Sequence, residues 1–558
     1  MRKVPTRVGL ALGTIVAATL FAGCGAPQPQ GTAAGKGTLR AAARSAADFR
    51  EESIYFAMTD RFVDGDPRNN NIFGDEYRPG QLTFNQGGDF KGLIDNLDHI
   101  KDMGFTALWI TPPVMQPPGR YLNDSRSYEA SGYHGYWAWD FSKVDPHLES
   151  PGATYDDLIR ACHARGIKVV QDIVTNHGHG TATAPEVRWH ADRNKVYGLG
   201  LGFDVGQDAQ RWFNHGGPQI ADLMDFNDNN PAVVDWFAKI YEAYQDRGVD
   251  AFRIDTMAWM APKFWTAFAD RMHANKPGFF MFGEVWTNGD FNWLASYTKL
   301  GSGDGAWPME RGVSVLDMPG SAMNTWGQLE YTFKGGDYAA VDNVLRHDPL
   351  YTDATYLVGY LDNHDKPRFN GTGGDGRPAS TTEFIDALSW YFTARGIPCI
   401  YYGTEVQMEG GNDPDNRRVL GREGIAAAKS NPVYRHLRKL NAIRKAFAPL
   451  QKGPQKKLLG SRDAYAFRRD FAGETALVFL NKGGAPARLT AGGVPDGTYT
   501  ELYTGARVTV AGGAAGIDVP AHGLRVLALG KVSGTPWQVP DWTGATGLRG
   551  TSPKAKAS

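Results

Sequence analysis

The chain has 558 residues, of which 60 are acidic and 59 are basic, and its formal net charge at pH 7 is −1. This balance, without any long basic tract, gives no electrostatic basis for binding nucleic acid, which we exclude as a partner. The length accommodates one α/β barrel of roughly 250 residues or more together with a smaller module.

The N-terminus has the pattern of an export signal. Basic residues within the first seven positions precede an uncharged apolar stretch, residues 8–22, that is short for a membrane-spanning helix. The following segment resembles a bacterial lipoprotein signal, which predicts a signal peptide over 1–24 that ends at a lipidated Cys24, and a flexible linker over 25–48. Phe21 stands where leucine is usual, so ordinary cleavage and release remains the alternative. Either way we expect an exported protein, which is a membrane-anchored lipoprotein in the first case and extracellular or periplasmic in the second, and a lipid anchor would be its only membrane contact.

Short apolar segments alternate with helical patterns from Ser53 onward, which predicts parallel strands joined by right-handed crossovers. Eight such strands predict a closed (β/α)₈ TIM barrel, with a catalytic domain over 49–450. The predicted strands are 54–57, 107–110, 168–174, 251–255, 279–284, 313–316, 356–361 and 397–401. The predicted helices include 154–165, 231–247, 262–274, 382–394 and 431–447.

Three further segments complete the predicted organisation. Residues 178–224, rich in Gly, His, Asp and Asn, are predicted to form an inserted subdomain after the third strand, over the barrel mouth. Alternating apolar and polar residues with Gly-rich turns over 456–530 predict a C-terminal antiparallel β-sandwich. Residues 531–558 are predicted to be a loose tail. The fold class is therefore α/β.

Acidic residues follow the ends of four predicted strands, where a barrel of this type carries its chemistry. Arg253 and Asp255 lie two positions apart on one strand, so both side chains are expected to point into the barrel. A carboxylate beside a fixed guanidinium is expected to stay ionised, as a glycosidic nucleophile must be. An ordinary buried ion pair is the alternative for this segment.

The other strand ends add further candidates. Glu284 follows an apolar run, so desolvation is expected to keep its proton available for a leaving oxygen, with a solvated strand-end glutamate as the alternative. Asp365 follows His364 after the seventh strand, and the third strand contributes Asp172 and leads to His177. A lone histidine is more often structural. Four acidic strand ends in one barrel favour a functional site.

The segments 172–177, 248–255, 283–286 and 361–365 resemble the four ordered motifs of the alpha-amylase family. The resemblance covers roughly 53–530 and implies a retaining double displacement on α-linked glucose polymers. The implied activity is endo-type hydrolysis of α-1,4-glucosidic bonds in starch, maltodextrins or related α-glucans.

The resemblance also implies residue roles. Asp255 is the expected nucleophile on the anomeric carbon, and Glu284 protonates the leaving oxygen and then deprotonates water. Asp365 is expected to bind sugar hydroxyls and favour a distorted ring. The carboxyl groups of the nucleophile and the acid are expected to lie about 5–5.5 Å apart.

Other segments resemble sugar-binding parts of the family. In the segment 133–137, Tyr136 is expected to stack on the sugar beside the cleaved bond and His134 to bond its hydroxyl. Asp413 and Arg417 resemble residues of cyclodextrin glucanotransferases that hold a glucose further along the non-reducing side. Taken singly, each of these could be a turn or a salt bridge. The remaining predicted substrate-binding residues are Trp137, Asp172, His177, Asp222, Arg253 and His364.

Calcium is the expected cofactor. The segment 64–70, together with 87–89, offers many of the hard oxygen ligands of which Ca²⁺ takes roughly six to eight, and resembles the first calcium loop of the glucanotransferases. An Asp/Asn-rich turn is the alternative. A second site is implied by likeness at Asn176 and Asp225, joining the inserted segment to the barrel. The predicted ligands of the first site are Asp64, Asp66, Asn69, Asn70, Gly87 and Asp89.

The chain departs from the family pattern at several positions. Ala258 and Trp259 stand where many members carry Lys-His, which removes a cation and an imidazole from the acceptor side. Ala221 stands where cyclodextrin-forming relatives have a large aromatic residue, and no segment resembles their extra starch-binding modules. The last two features favour hydrolysis, or short-range transfer, over cyclisation.

Three other functions are compatible with parts of the same sequence pattern. An α-glucan transglycosylase or a cyclomaltodextrinase of the same fold remains an alternative. A non-catalytic sugar-binding lipoprotein is less favoured, because all three catalytic carboxylates are present.

Overall fold

The structure is a computed structural model. The residues that it describes are 48–122, 128–179, 212–213, 223–287, 289–300, 312–319, 329–371 and 377–542. The predicted signal peptide, nearly all of the predicted linker, most of the inserted segment and the end of the tail lie outside these residues. Among the described residues, no helix combines the length and the apolar character that crossing a membrane requires.

Eight parallel strands form the central barrel, in the spatial order β6-β5-β4-β3-β2-β1-β8-β7. A parallel bridge between Leu316 and Val358 joins the end of β6 to β7 and brings the two outer strands together. The predicted (β/α)₈ barrel is therefore confirmed. The strands are β1 (Ile54–Ala57), β2 (Ala107–Ile110), β3 (Lys168–Ile173), β4 (Ala251–Ile254), β5 (Phe280–Gly283), β6 (Ser314–Val315), β7 (Val358–Tyr360) and β8 (Ile397–Tyr401).

Helices surround the barrel and start at recognisable capping residues. Thr154 and Asp157 form a capping box at one helix, and Ser380 and Glu383 form another. Three longer helices begin with proline, whose fixed φ suits the first helical position. The α-helices are α1 (Thr59–Phe62), α2 (Phe90–Asp95), α3 (Leu97–Asp102), α4 (Tyr155–Ala164), α5 (Pro231–Asp246), α6 (Pro262–Asn275), α7 (Phe291–Tyr297), α8 (Leu329–Phe333), α9 (Asp342–Leu345), α10 (Thr381–Thr393), α11 (Gly421–Ala428), α12 (Pro432–Ala446) and α13 (Ala448–Lys452).

Several short strands and 3₁₀ turns complete the described secondary structure. Two-residue to five-residue ladders pair Val114–Met115 with Asp140–Val144, Tyr121–Leu122 with Glu129–Ala130, and His177–Gly178 with Met224–Asp225. The 3₁₀ turns are Phe49–Glu51, Pro67–Asn69, Met257–Trp259, Tyr338–Val341, Asp348–Leu350, Ala354–Tyr356, Thr404–Val406, Asp415–Arg417 and Pro536–Gln538.

The C-terminal strands form the predicted antiparallel sandwich. A six-stranded sheet in the order β9-β10-β11-β16-β13-β14 packs against the separate pair β12-β15. The strands are β9 (Gln455–Gly460), β10 (Ala464–Phe471), β11 (Glu474–Asn481), β12 (Ala487–Gly492), β13 (Gly497–Glu501), β14 (Arg507–Val510), β15 (Ala514–Val519) and β16 (Gly523–Leu529).

Strand β11 explains how the sandwich is attached to the barrel. Leu477 and Phe479 point into the core of the sandwich, while Val478 and Leu480 belong to the core shared with the barrel. Successive side chains on a strand point to opposite faces, so both faces of β11 are buried. Its almost unbroken apolar sequence follows from this position.

Candidate active site

Strand register brings two of the predicted site residues to one level of the barrel. Arg253 on β4 pairs with Asp172 on β3 and with Phe282 on β5. Asp255 and Glu284 come directly after β4 and β5, so both lie at the face formed by the carboxyl ends of the strands. This is the face at which barrels of this type carry their chemistry.

The guanidinium group of Arg253 is shared by three carboxylates. Its Nη1 donates to Asp172 Oδ1 at 3.0 Å and to Asp255 Oδ1 at 2.9 Å. Its Nη2 forms an ion pair with Glu284 Oε2 at 3.0 Å, without the angle of a hydrogen bond. Arg253 is fully buried. One buried cation therefore fixes the positions of three carboxyl groups.

The pKa of Asp255 differs from the expectation drawn from the sequence. Burial raises the pKa of the Asp255 carboxyl well above its usual value; Arg253 opposes this, and the charges of Glu284 and Asp172 raise the pKa further. Arg253 alone was expected to keep Asp255 ionised. Arg253 does lower the pKa of Asp255, but its charge is divided among three carboxylates in a desolvated site, so burial and the two neighbouring carboxylates outweigh it.

Asp172 is the most enclosed carboxylate of the group. Its Oδ2 accepts hydrogen bonds from the Trp109 indole at 3.1 Å and the Tyr136 hydroxyl at 2.8 Å. Burial nevertheless raises the pKa of Asp172 to about 6, against the opposing effect of Arg253 and these donors. Trp109 was not among the predicted site residues, because its strand position gives it the pattern of an ordinary core residue.

Glu284 is held by two donors besides Arg253. Its Oε1 accepts from the Trp286 indole at 2.7 Å, and its Oε2 accepts from the backbone N–H of Thr256 at 3.1 Å. Thr256 has a φ of 46°, in the left-handed region, which turns the chain directly after Asp255. Sequence reasoning missed both contacts. Trp286 could have been found from its spacing to Glu284, but a backbone donor such as Thr256 leaves no signal in residue type.

Residues 133–137, which we call the aromatic loop, lie beside these carboxylates. The ring of Tyr136 stacks on His364 with a centroid distance of 5.1 Å and an interplanar angle of 12°. Its backbone N–H donates to His134 Nδ1 at 3.0 Å, so the neutral imidazole carries its proton on Nε2. The loop thus presents one aromatic face and one imidazole donor.

Three buried histidines at the site are neutral. Burial, reinforced by the neighbouring Arg417, lowers the pKa of both His134 and His364 well below the usual value. Burial also lowers the pKa of His177 to about 4, and His177 Nε2 lies 3.2 Å from the carbonyl oxygen of Tyr136. Neutral imidazoles offer hydrogen bonds to hydroxyl groups without adding positive charge.

A second arginine organises the outer part of the cleft. Arg417 Nη2 lies 3.3 Å from Asp365 Oδ1, and its Nη1 lies 3.0 Å from Asp413 Oδ1 and from the hydroxyl oxygen of Tyr133. Arg417 Nε donates to the carbonyl oxygen of His364 at 2.9 Å. Tyr133 was not predicted as a site residue, since its hydroxyl contact joins positions far apart in sequence.

The carboxylates of the site differ in how far their side chains are exposed to solvent. The side chains of Asp365 and Asp413 are 33% and 46% exposed, whereas those of Asp255 and Glu284 are buried. The two arginines therefore divide the site into a deep part, organised by Arg253, and an outer part that faces solvent.

The remaining predicted sugar contacts lie nearby or outside the described residues. Trp137 is half-buried, and its ring meets the ring of His134 at a centroid distance of 4.7 Å. Trp259 is 38% exposed on the 3₁₀ turn that follows Asp255. Asp222 and Ala221 fall outside the residues that the structure describes.

The first predicted calcium segment contains buried oxygen atoms without hydrogen-bond partners. These atoms are Asp64 Oδ1, Asn69 Oδ1 and Asn70 Oδ1. Gly87 lies beside Asn70 with a φ of 91°, and a Cβ there would lie 2.5 Å from the amide nitrogen of Asn70. Buried, unpaired side-chain oxygens on three residues of one loop fit a hard cation such as Ca²⁺.

Two other predicted ligands of this segment already have partners. Asp89 caps α2 and accepts backbone N–H groups from Gly65, Asp66 and Gly92. Asp66 forms an ion pair with Arg68 at 2.6 Å, and this hydrogen-bonded guanidinium lowers the pKa of Asp66 to about 2. Both carboxylates are therefore engaged in holding the segment.

The second predicted calcium site is a close pair. Asn176 Nδ2 donates to Asp225 Oδ1 at 3.2 Å. In the described part of the chain, no group of three or more His, Cys, Asp or Glu side chains is arranged to hold a metal ion. Two of the three unpaired oxygens of the first segment belong to asparagines, which such a group does not include.

A barrel of parallel strands, with acidic side chains gathered where the strands end, places this chain among the barrel glycoside hydrolases. It belongs to the alpha-amylase family, whose catalytic domain matches residues 56–197 and 204–423. The predicted resemblance is thereby confirmed.

Individual relatives include both hydrolases and transferases by name. The chain is 31% identical to a beta/alpha-amylase of Paenibacillus polymyxa over 85% of its own length. It is 30% identical to a cyclomaltodextrin glucanotransferase of a Bacillus species over 82% of its length. The crystal structure of an Anoxybacillus alpha-amylase is similar with a TM-score of 0.69 and 27% identity, over 87% of this chain and 99% of that one. The chain spans 36% of the first relative and 63% of the second.

Proposed function

We propose that the chain catalyses retaining, endo-type hydrolysis of α-1,4-glucosidic bonds in starch, maltodextrins or related α-glucans. The observation that carries this proposal is the shared guanidinium of Arg253, which holds the carboxyl groups of Asp255 and Glu284 at the mouth of the barrel. Two carboxyl groups flanking one bond are what a retaining glycosidase requires.

In the proposed reaction, Asp255 attacks the anomeric carbon while Glu284 protonates the leaving oxygen. Glu284 then removes a proton from water, which displaces Asp255 and restores the original anomeric configuration. The indole of Trp286 and the N–H of Thr256 hold the Glu284 carboxyl in place during both steps. Arg253 bonds Asp255 and Asp172, so the nucleophile cannot rotate away from the cleft.

The surrounding groups bind the sugar whose bond is cut. Tyr136 provides a face for stacking, and the neutral His134 and His364 donate to hydroxyl groups without opposing the positive charge of an oxocarbenium-like transition state. Asp365 accepts from hydroxyls at the outer side of the same sugar. Arg417 and Asp413 form the next contact along the non-reducing side.

Transglycosylation is the second candidate function, and the similarity to a cyclomaltodextrin glucanotransferase favours it. The two functions differ in whether water or a sugar hydroxyl enters the second step. With maltoheptaose as substrate, we expect chromatography to show only shorter linear products. Longer or cyclic products would contradict hydrolysis as the main activity, and an absence of any product would contradict both candidates.

We further propose that the chain binds Ca²⁺ through Asp64, Asn69 and Asn70 and the backbone of Gly87. The buried, unpaired oxygens of this segment support the assignment. When bound, the ion would neutralise Asp64 and link the loop after β1 to the segment before α2. A second ion at Asn176 and Asp225 is proposed from family resemblance and from the 3.2 Å contact of the two side chains.

Removing calcium is expected to lower the melting temperature of the wild-type chain. An ion present at 100 times its Kd stabilises the folded state by about 2.7 kcal/mol. Asp64→Ala is expected to reduce the difference between chelator and added calcium in a thermal melt to the part that the second proposed ion supplies. Asp98→Asn, an exposed carboxylate paired with Arg165, serves as the control and keeps the wild-type difference. Equal responses of the two variants would contradict the site.

We propose that the chain is exported and anchored by a lipid on Cys24. The basic start, the apolar stretch and the cysteine that follows it support this proposal. Mass spectrometry of the mature N-terminus tests it: a diacylglyceryl group on Cys24 is expected, and an unmodified terminus at another residue would contradict it.

A further inference from the structure

We propose that Gln116 is a positioning residue that holds the aromatic loop, residues 133–137, against the reacting sugar. The inference rests on the proposed function, because the loop carries Tyr136 and His134. Gln116 lies just after the short strand Val114–Met115, is buried, and belongs to none of the four family motifs.

The side-chain amide of Gln116 bonds the loop on both sides of Tyr136. Its Nε2 donates to the carbonyl oxygen of Gly135 at 2.9 Å and to that of Val114 at 2.8 Å. Its Oε1 accepts from the backbone N–H of Trp137 at 2.8 Å. One amide therefore satisfies a donor and an acceptor that flank Tyr136, and it fixes the loop relative to the short strand Val114–Met115.

Gln116 is itself held by a charged network. Its backbone N–H donates to Asp145 Oδ2 at 2.7 Å, and His147 Nδ1 lies 2.7 Å from Asp145 Oδ1. His147 Nε2 lies 3.1 Å from Glu76 Oε1, and hydrogen bonds to the two carboxylates raise the pKa of His147 to about 10 although burial opposes this. The residue that positions the loop is therefore anchored by a cation between two carboxylates.

Glycines allow the close approach between the two segments. A Cβ at Gly132 would lie 2.6 Å from the Cβ of Gln116, and a Cβ at Gly135 would lie 2.4 Å from the carbonyl oxygen of Pro112. Gly135 also has a φ of 88°, which residues with a side chain rarely adopt. The two glycines therefore allow the chain around the aromatic loop to lie close to Gln116 and Pro112.

Gln116→Met tests the inference, since it keeps the length of the side chain and removes all of its hydrogen bonds. The loop touches the reacting sugar, while other contacts supply most of the ground-state binding, so kcat for maltoheptaose is expected to fall about 30-fold with little change in KM. Hydrogen–deuterium exchange of the peptide that contains residues 133–137 is expected to accelerate at least about tenfold.

Gln245→Met is the matched control. Gln245 is buried on α5, and its amide likewise donates to a carbonyl oxygen, that of Met272 at 3.1 Å, and accepts from Asn275 at 3.0 Å. We expect it to lose comparable thermal stability while kcat and loop exchange stay within about twofold of wild type. Gln116→Glu keeps the hydrogen-bond acceptor but leaves the carbonyl oxygens of Gly135 and Val114 without a donor. This variant is therefore expected to behave like Gln116→Met.

The outcomes separate the two levels of inference. An inactive wild-type chain would refute the proposed function, while the exchange measurement would still test whether Gln116 holds the loop. Equal effects of Gln116→Met and Gln245→Met on kcat would reduce Gln116 to a structural residue and overturn the inference. Unchanged exchange of the loop in Gln116→Met would also overturn it.

Discussion

Glu284→Gln is expected to reduce kcat for maltoheptaose by roughly 10³-fold, because the amide cannot protonate the leaving oxygen. The loss should be much smaller for the formation of the glycosyl-enzyme from α-maltosyl fluoride, since fluoride leaves without strong acid assistance. The amide keeps the size of the carboxyl group, and its single oxygen still accepts from either the Trp286 indole or the Thr256 N–H, so most of the site geometry is preserved. Steady-state and burst kinetics on the two substrates measure the contrast.

Asp255→Asn separates the nucleophile from the acid. Without a carboxylate to attack the anomeric carbon, activity should fall on both substrates, including α-maltosyl fluoride. Glu242→Gln, on α5 and paired with Arg271, is the control and should leave both rates unchanged. Full activity of Glu284→Gln on maltoheptaose, or selective loss of fluoride turnover in that variant, would refute the assigned roles.

Arg253→Met is expected to remove activity and to destabilise the chain by about 3–5 kcal/mol at neutral pH, because three buried carboxylates lose their shared cation. The buried, carbonyl-bonded Arg469 of β10 provides the control variant Arg469→Met. This control should also destabilise the chain, but it should retain turnover at temperatures where it is folded. Chemical denaturation and maltoheptaose assays measure the two effects.

The destabilisation by Arg253→Met should depend on pH. Burial raises the pKa of Asp172 to about 6 in the folded chain, compared with roughly 3.9 in the unfolded chain. The contribution of Asp172 to the free energy of unfolding is therefore fully present below about pH 4 and is lost as the pH rises through 6. Without Arg253, the pKa values of the buried carboxyl groups in the folded chain rise further, so the loss of stability at higher pH becomes larger. The free-energy difference from wild type should therefore be larger at about pH 7.5 than at about pH 4.5. A difference independent of pH, as expected for Arg469→Met, would contradict the shared-cation account.

Much of the fold could be predicted from the sequence because parallel barrel strands are short, apolar and regularly separated by helices. Strands β1, β2 and β8 have the predicted bounds, and the other strands end within a few residues of them. Helix ends differ by about one residue, since residues such as Thr154 and Asn431 cap the helix and are not part of it.

The candidate site was predictable to the extent that its side chains follow strand ends. The carboxylates of Asp172, Asp255 and Glu284 were found because each lies at the end of an apolar run. The contacts of Trp109 and Tyr133 were not, because their partners are distant in sequence. Gln116 was missed for the same reason: nothing in its neighbourhood indicates that its amide bonds a loop about 20 residues away.

The sequence by itself determined the barrel, the sandwich and the identity of the acidic residues, because hydrophobic periodicity and the ends of strands are local properties of the chain. Only the tertiary structure decided which carboxylates share Arg253, which oxygens of the segment 64–70 remain unpaired, and how the pKa of Asp255 shifts. These properties depend on distances and desolvation between segments that meet only when the barrel forms.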